Sequence, residues 1–181
     1  VWSNRMKLIE SKTLVSAAAS IEFTSIPQDG TDLVIVISAR TLRSGQPDDA
    51  VSVKLNSNTS NYSNRLLNGT GSAAASSTNY FGQGYFLANA TGATATADTF
   101  SNCVVYIPNY TAAVNKSIST DAVTENNATS AVQVIIAGLW ANTAAITSIL
   151  FDNFSATNFV AGTTISLYKI TKGSDGIVTI S

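Results

Sequence analysis

At 181 residues the chain is long enough to bury a core without a disulfide or a metal staple. Only 12% of its residues are charged, the net charge is -1, and it has no His and one Cys. This excludes an imidazole base, a Ser-His-Asp triad, a His-containing zinc site and a Cys-rich cluster. Thr, Ser and Asn together make 61 of the 181 residues, so short polar side chains stand where a charged surface is usual.

In chain order, Val1 to Ser11 predicts an extended arm or edge strand whose Trp2, Met6, Leu8 and Ile9 dock on a partner, because terminal apolar residues order only when tied down. The rest, 12–181, shows no shift in composition and predicts a single domain. Lys7 to Val15 is the first strand candidate. Ile21 to Thr24 and Val51 to Asn56 alternate apolar and polar residues, the period-two pattern of a half-buried strand. Between them Leu33 to Ile37 is apolar on both faces and β-branched, which predicts a central strand covered on both sides, by packing or by a neighbouring subunit. Tyr62 to Leu67 is the next strand. Ala73 to Ala75 and Ala93 to Ala97 are interleaved with Ser, Thr and Gly and predict loops.

The segment Tyr80-Phe81-Gly82-Gln83-Gly84-Tyr85-Phe86 sets four aromatic rings around glycines, where they either stack on a sugar face or partner chain or pack in the core. Tyr85 to Ala88, Cys103 to Ile107, Val114 to Ala122, Val132 to Ile136, Ile146 to Phe151, Thr164 to Thr171 and Ile177 to Ile180 complete the strands. Val132 to Ile136 is a second run apolar on both faces. With three Glu in the whole chain helix formers are scarce, and helix below about 10% is expected. The pattern predicts one antiparallel β-sandwich, jelly-roll-like, of about eleven or twelve short strands.

Few groups offer chemistry. Asp29 and Asp32 flank Gly30, a spacing that offers oxygen ligands to Ca²⁺, and Asp48-Asp49 is a carboxylate pair. Both lie in turn sequences, Pro27-Gln28-Asp29-Gly30 and Gln46-Pro47-Asp48-Asp49, where Asp ordinarily caps its own backbone. Glu22 and Glu125 are the remaining acid pair of the glycosidase type, and sequence does not fix their separation. Cys103 sits in an apolar strand with no His to activate it and reads as a small core hydrophobe. Eight Asn-x-Ser/Thr sequons, at Asn58, Asn61, Asn68, Asn89, Asn109, Asn115, Asn127 and Asn153, follow from the clustering of these residues more than from glycosylation. No catalytic residue, metal ligand or cofactor is predicted.

The charges form no basic or acidic block, so no nucleic-acid partner is expected. Val134 to Trp140 is the longest apolar run, far below the roughly 20 residues of a membrane helix, and the start has no apolar signal region. A soluble chain made in a reducing cytosol, without a signal peptide or membrane partner, is the expectation.

Several blocks carry a resemblance: Ser20-Ile21-Glu22-Phe23-Thr24-Ser25-Ile26-Pro27, Thr31-Asp32-Leu33, Ile107-Pro108-Asn109-Tyr110, Asn115-Lys116-Ser117, Thr124-Glu125-Asn126-Asn127-Ala128-Thr129 and Ala137 to Thr147. In order and spacing they resemble a widespread group of small tailed-phage virion proteins, which begin near a Met-Lys-Leu-Ile segment, here Met6 to Ile9. Such proteins end on a Thr-Ile-Ser-Leu-Tyr-x-Ile strand, here Thr164 to Ile170. The chain departs from that pattern in the five residues before Met6, in Lys169 where Gly is usual, and in the tail through Ser181.

The resemblance implies a non-enzymatic virion component on the outside of the particle, made in the bacterial cytoplasm. Its first form is a capsid decoration (cement) protein that binds the major capsid protein and bridges capsid subunits. Its second is a tail-fibre or receptor-binding module for a host glycan, with Tyr80, Phe81, Tyr85 and Phe86 as the contact. Strands apolar on both faces and a weakly charged surface add the expectation of a homo-oligomer, a trimer.

Overall fold

The computed structural model describes residues 6–70, 74–83, 86–125 and 131–171, with 74–83 and 86–87 described by their backbone. These residues form twelve strands and no helix. In order they are β1 (Lys7–Thr13), β2 (Ser20–Phe23), β3 (Asp32–Ser38), β4 (Asp48–Leu55), β5 (Tyr62–Gly69) and β6 (Ala74–Gln83). β7 (Phe86–Thr91), β8 (Asn102–Ile107), β9 (Lys116–Glu125), β10 (Ala131–Trp140), β11 (Ile149–Asn153) and β12 (Thr164–Ile170) follow.

The strands build two antiparallel sheets packed as a β-sandwich, which is the predicted class. The large sheet has eight strands in the order β1-β12-β3-β8-β9-β10-β5-β6, and the small sheet has four in the order β2-β11-β4-β7. The chain crosses from one sheet to the other at β1 to β2, β2 to β3, β3 to β4, β4 to β5, β6 to β7, β7 to β8, β10 to β11 and β11 to β12. Only β5–β6 and β8–β9–β10 stay within one sheet between crossings, as hairpin neighbours.

Strand alternation decides what fills the space between the sheets. β9 alternates buried and exposed side chains from Lys116 to Thr124, and β12 buries Ile165, Leu167 and Lys169 while their neighbours face outward. The buried hydrophobic residues make one cluster fed by both sheets, with Leu33, Ile35, Ile37, Val105, Ile107 and Ile136 from the large one. The small sheet answers with Ile21, Phe23, Val51, Val53, Leu55 and Phe151. Phe23 and Phe151 meet edge to face with centroids 6.0 Å apart, and Tyr62 stacks on Trp140 at 5.9 Å. The Tyr62 hydroxyl accepts a 2.8 Å bond from the Leu55 amide, so the last strand residue before the β4–β5 turn is fastened to the sheet that follows. That turn uses left-handed backbone at Asn56, Ser57 and Asn61 (φ 52°, 53° and 66°), which Asn tolerates through local hydrogen bonds.

Two sequence expectations are corrected. Ala74 and Ala75, predicted as loop, open β6 and pair with Gly69 and Asn68; Ala73 lies outside the described residues. Their strand conformation is set by the backbone ladder to β5, not by side-chain propensity. Asp48 and Asp49, predicted as a self-capping turn, are the first residues of β4, opposite Thr91 and Ala90 of β7. The expected strand Ile177 to Ile180 lies outside the described residues.

Candidate functional site

Four of the carboxylates singled out in the sequence, Asp29, Asp32, Asp49 and Glu125, are held by structural partners. Asp32 is fully buried and accepts 2.8 Å from the Tyr106 hydroxyl and 3.0 Å from the Asn109 amide. Asp29, three residues away, instead pairs with Lys169. The hydrogen bond from that ammonium holds the Asp29 carboxyl below its ordinary value of 3.8. Gly30, between them, packs under the Tyr110 ring, whose hydroxyl accepts 3.2 Å from the Gly30 amide and donates to the Pro27 carbonyl. A Cβ at Gly30 would lie 2.9 Å from that hydroxyl oxygen. The two carboxylates therefore do not converge on a cation position.

The same holds elsewhere. Asp49 accepts from Thr41 Oγ1 at 2.9 Å and Ser155 Oγ at 2.7 Å and pairs with Arg43 at 3.4 Å. Glu22 lies on β2 of the small sheet, whereas Glu125 ends β9 of the large sheet and binds Thr96 and Thr99 through their hydroxyls at 3.1 and 3.3 Å. The glycosidase-type pair is thus split between sheets. Cys103 is buried, and loss of hydration pushes its thiol up to about 12. Among the described residues no three His, Cys, Asp or Glu side chains gather in a metal-binding group. Asn89 and Asn153 are buried sequon residues; Asn127 lies outside the described residues.

Lys116 is the unusual cation. Its side chain is fully buried beside the 109–115 turn, donating to Ala112 O at 2.8 Å and Val114 O at 2.5 Å, and burial lowers its basicity. It closes that turn from the inside.

Of the predicted arm, Met6 and Leu8 are exposed and Ile9 packs against the core; Lys7–Thr13 is an edge strand on β12, with an irregularity between Leu8 and Glu10. Trp2 lies outside the described residues. In the aromatic segment, Tyr80 and Phe81 belong to β6 and Phe86 begins β7, so the chain passes between sheets here. Tyr85 and the side chains of Tyr80, Phe81 and Phe86 lie outside the described residues.

One surface escaped the sequence reading and a second was signalled only in part. On the outer face of the small sheet a depression of about 420 Å³ is bordered by Ser52, Lys54, Asp152, Asn153, Phe154 and Thr157. Lys54 and Asp152 pair across it at 2.5 Å, and Phe154, 48% exposed, stands at its rim. The outer face of the large sheet is different. It presents Val36, Val104, Val123, Ile135, Leu139 and Leu67 to solvent, six of the twelve exposed large hydrophobic residues among those described. The two-faced apolar runs signalled part of this patch: Leu33, Ile35 and Ile37 turn inward, while Val36 turns out; Val132, Val134 and Ile136 turn inward, while Ile135 turns out. On β10 the chain covers one side and leaves the other open, and on β3 the outer side opens at Val36 while Val34, on the same side, is buried. Compared with known proteins, the chain matches no family model and no curated protein.

Proposed function

We propose that this chain is a non-catalytic structural protein of a tailed-phage virion, a decoration protein that self-associates and bridges subunits of the major capsid protein on the outside of the particle. The observation that carries this reading is the strand order. Removing the added hairpin strands β5–β6 and β9–β10 leaves sheets β1-β12-β3-β8 and β2-β11-β4-β7, an order that fits the interleaving of a jelly roll. That architecture recurs in capsid and lectin domains, and with the sequence blocks from Ser20 to Thr147 it favours a virion role. Bridging needs a rigid body with several contact faces and no chemistry, since binding only the assembled shell stabilises the shell by mass action. Short Ser, Thr and Asn side chains form hydrogen bonds across a boundary with less entropy loss than Lys or Glu. Exposed Leu8 on the edge strand and Met6 just before it are the first candidates for the capsid contact. Antibody labelling of intact particles tests the reading: label over the head, with copies in the hundreds, is expected, and label confined to the tail overturns it.

The depression beside Phe154 favours a second reading, a receptor-binding module for a host glycan. An exposed ring next to a Lys–Asp pair offers a stacking face and charged hydrogen-bonding groups to a sugar. Glycan-array binding lost in Phe154→Ala supports this reading; an array without a hit for the intact chain removes it.

A further inference from the structure

The outer face of the large sheet is a patch of consistent character. Cross-strand register places Ser166, Val36, Val104, Asp121, Ile135 and Leu67 in one row across six strands. Val123 and Gln133 face each other in the next row one way, and Tyr106, Ser119, Ala137 and Arg65 line up in the next row the other way. Leu139 closes the patch between Ser117 and Ser63. Six strands at about 4.8 Å, and seven residues of β10 at about 3.4 Å each, give a face of roughly 30 by 24 Å, or roughly 700 Å². A standard interface takes about 800 Å² from each partner. An apolar centre with few charges and a rim of Ser, Asn and Gln is the composition of an interface core.

The charges say what covers it. Asp121 on β9 and Arg65 on β5 are the exposed charged side chains of the patch, and they stand on either side of β10, opposite Ile135 and Ala137 respectively. One charge of each sign makes the face its own complement. A two-fold axis lying in the face, over β10 between these residues, sets Arg65 of each copy against Asp121 of the other, and both pairs form in one contact. The outer face of the small sheet offers no match for the patch, because it carries Glu22, Lys54 and Asp152. We propose that the outer face of the large sheet, centred on Ile135, is the interface between two copies of this chain, packed face to face about a two-fold axis. This deepens the self-association in the proposed function, and it replaces the expected three-fold symmetry with two-fold, because only an isologous contact pairs both charges with one patch.

The experiment is a charge exchange in solution. Analytical ultracentrifugation of the intact chain at tens of micromolar is expected to give twice the 18.9 kDa monomer mass. Arg65→Asp and Asp121→Arg place like charges opposite each other twice, and each alone is expected to weaken dimerisation at least about tenfold. Mixed together, the two variants set the introduced carboxylate of one against the introduced guanidinium of the other, and the remaining native Asp121 against the remaining native Arg65. A heterodimer of wild-type strength is therefore expected. Ile135→Ser, which adds no charge, is expected to weaken the dimer also, with circular dichroism and thermal unfolding confirming that all variants are folded. A monomeric or trimeric wild type, variants that dimerise as the wild type does, or a mixture that stays monomeric overturns the proposal. No particle enters this measurement, so its failure leaves the decoration reading standing, and failure of head labelling leaves the dimer standing.

Discussion

Arg40 holds the loop that joins β7 to β8. Its guanidinium donates to four backbone carbonyls of the 92–101 segment: Thr96 O at 2.7 Å, Thr99 O at 3.0 Å, Ala93 O at 3.2 Å and Ala95 O at 3.0 Å. Glu125 grips the same loop through the Thr96 amide and the hydroxyls of Thr96 and Thr99. Each bond contributes about 1 kcal/mol net, so four would give about 4 kcal/mol. The contacts to Thr96 and Ala93 are exposed and water replaces them when the side chain is removed, which leaves about 2–3 kcal/mol for Arg40→Ala. Arg40→Lys keeps the charge and loses the planar fork; it cannot reach four carbonyls at once and is expected to lose about 1–2 kcal/mol. Urea unfolding of the purified chain measures both, and hydrogen exchange is expected to show lost protection at the Ala95 and Thr99 amides. Because both side chains fasten one loop, Glu125→Gln should cost less in the Arg40→Ala background than alone. A loss below about 0.5 kcal/mol for Arg40→Ala, or strictly additive losses, would refute the clamp.

Three further predictions rest on single positions. Gly92→Ala puts a methyl group against the Gln46 carbonyl oxygen and 3.1 Å from the Asp48 nitrogen, both backbone, so a loss of about 1–3 kcal/mol is expected from urea unfolding. Asp29, held below 3.8 by Lys169, adds stability that is present above the unfolded value and disappears as pH falls through the lower folded value. The urea midpoint of the wild type should therefore exceed that of Asp29→Asn at neutral pH and converge with it below that window; a constant gap would contradict the pairing. Cys103, buried and pushed up to about 12, should react with a thiol reagent only as fast as the protein opens, and rapid labelling of the folded chain would show the site to be accessible.

The strands that were legible in the sequence owe it to side chains that differ between their two faces or are β-branched on both. Val51 to Asn56 announced itself by alternation, and Leu33 to Ile37 by Val and Ile density; β4 takes in the first as far as Leu55, with Asn56 in the turn that follows, and β3 contains the second. β6 was illegible because Ala, Ser and Thr leave no hydrophobic period, and its strand state comes from backbone bonds to β5, a partner that local sequence does not name. Asp48-Asp49 misled for a related reason: Pro47 before it signals a turn, yet Thr41 and Arg43 from one segment and Ser155 from another supply partners that draw Asp49 into a buried network. The depression at Lys54 and Asp152 unites residues 98 positions apart, which periodicity does not reveal. The outward patch lay half visible, since an apolar residue at every position says that both faces are dry without saying what dries the second.

The pairing of β1 with β12 bears on when the protein comes into being. Ser11 Oγ and Ser166 Oγ, 155 positions apart, lie 2.7 Å from each other, and β12 also forms the ladder that joins β1 to β3. While the chain is still being synthesised, the first strand therefore has no bed to lie in until nearly all of the described residues have left the ribosome. Contacts this distant in sequence make folding slow and late, because loop closure must precede any reward. Until then β3 keeps an open edge where β12 will sit, and a chain cut short before Thr164 is expected to aggregate through that edge rather than accumulate as a smaller folded species.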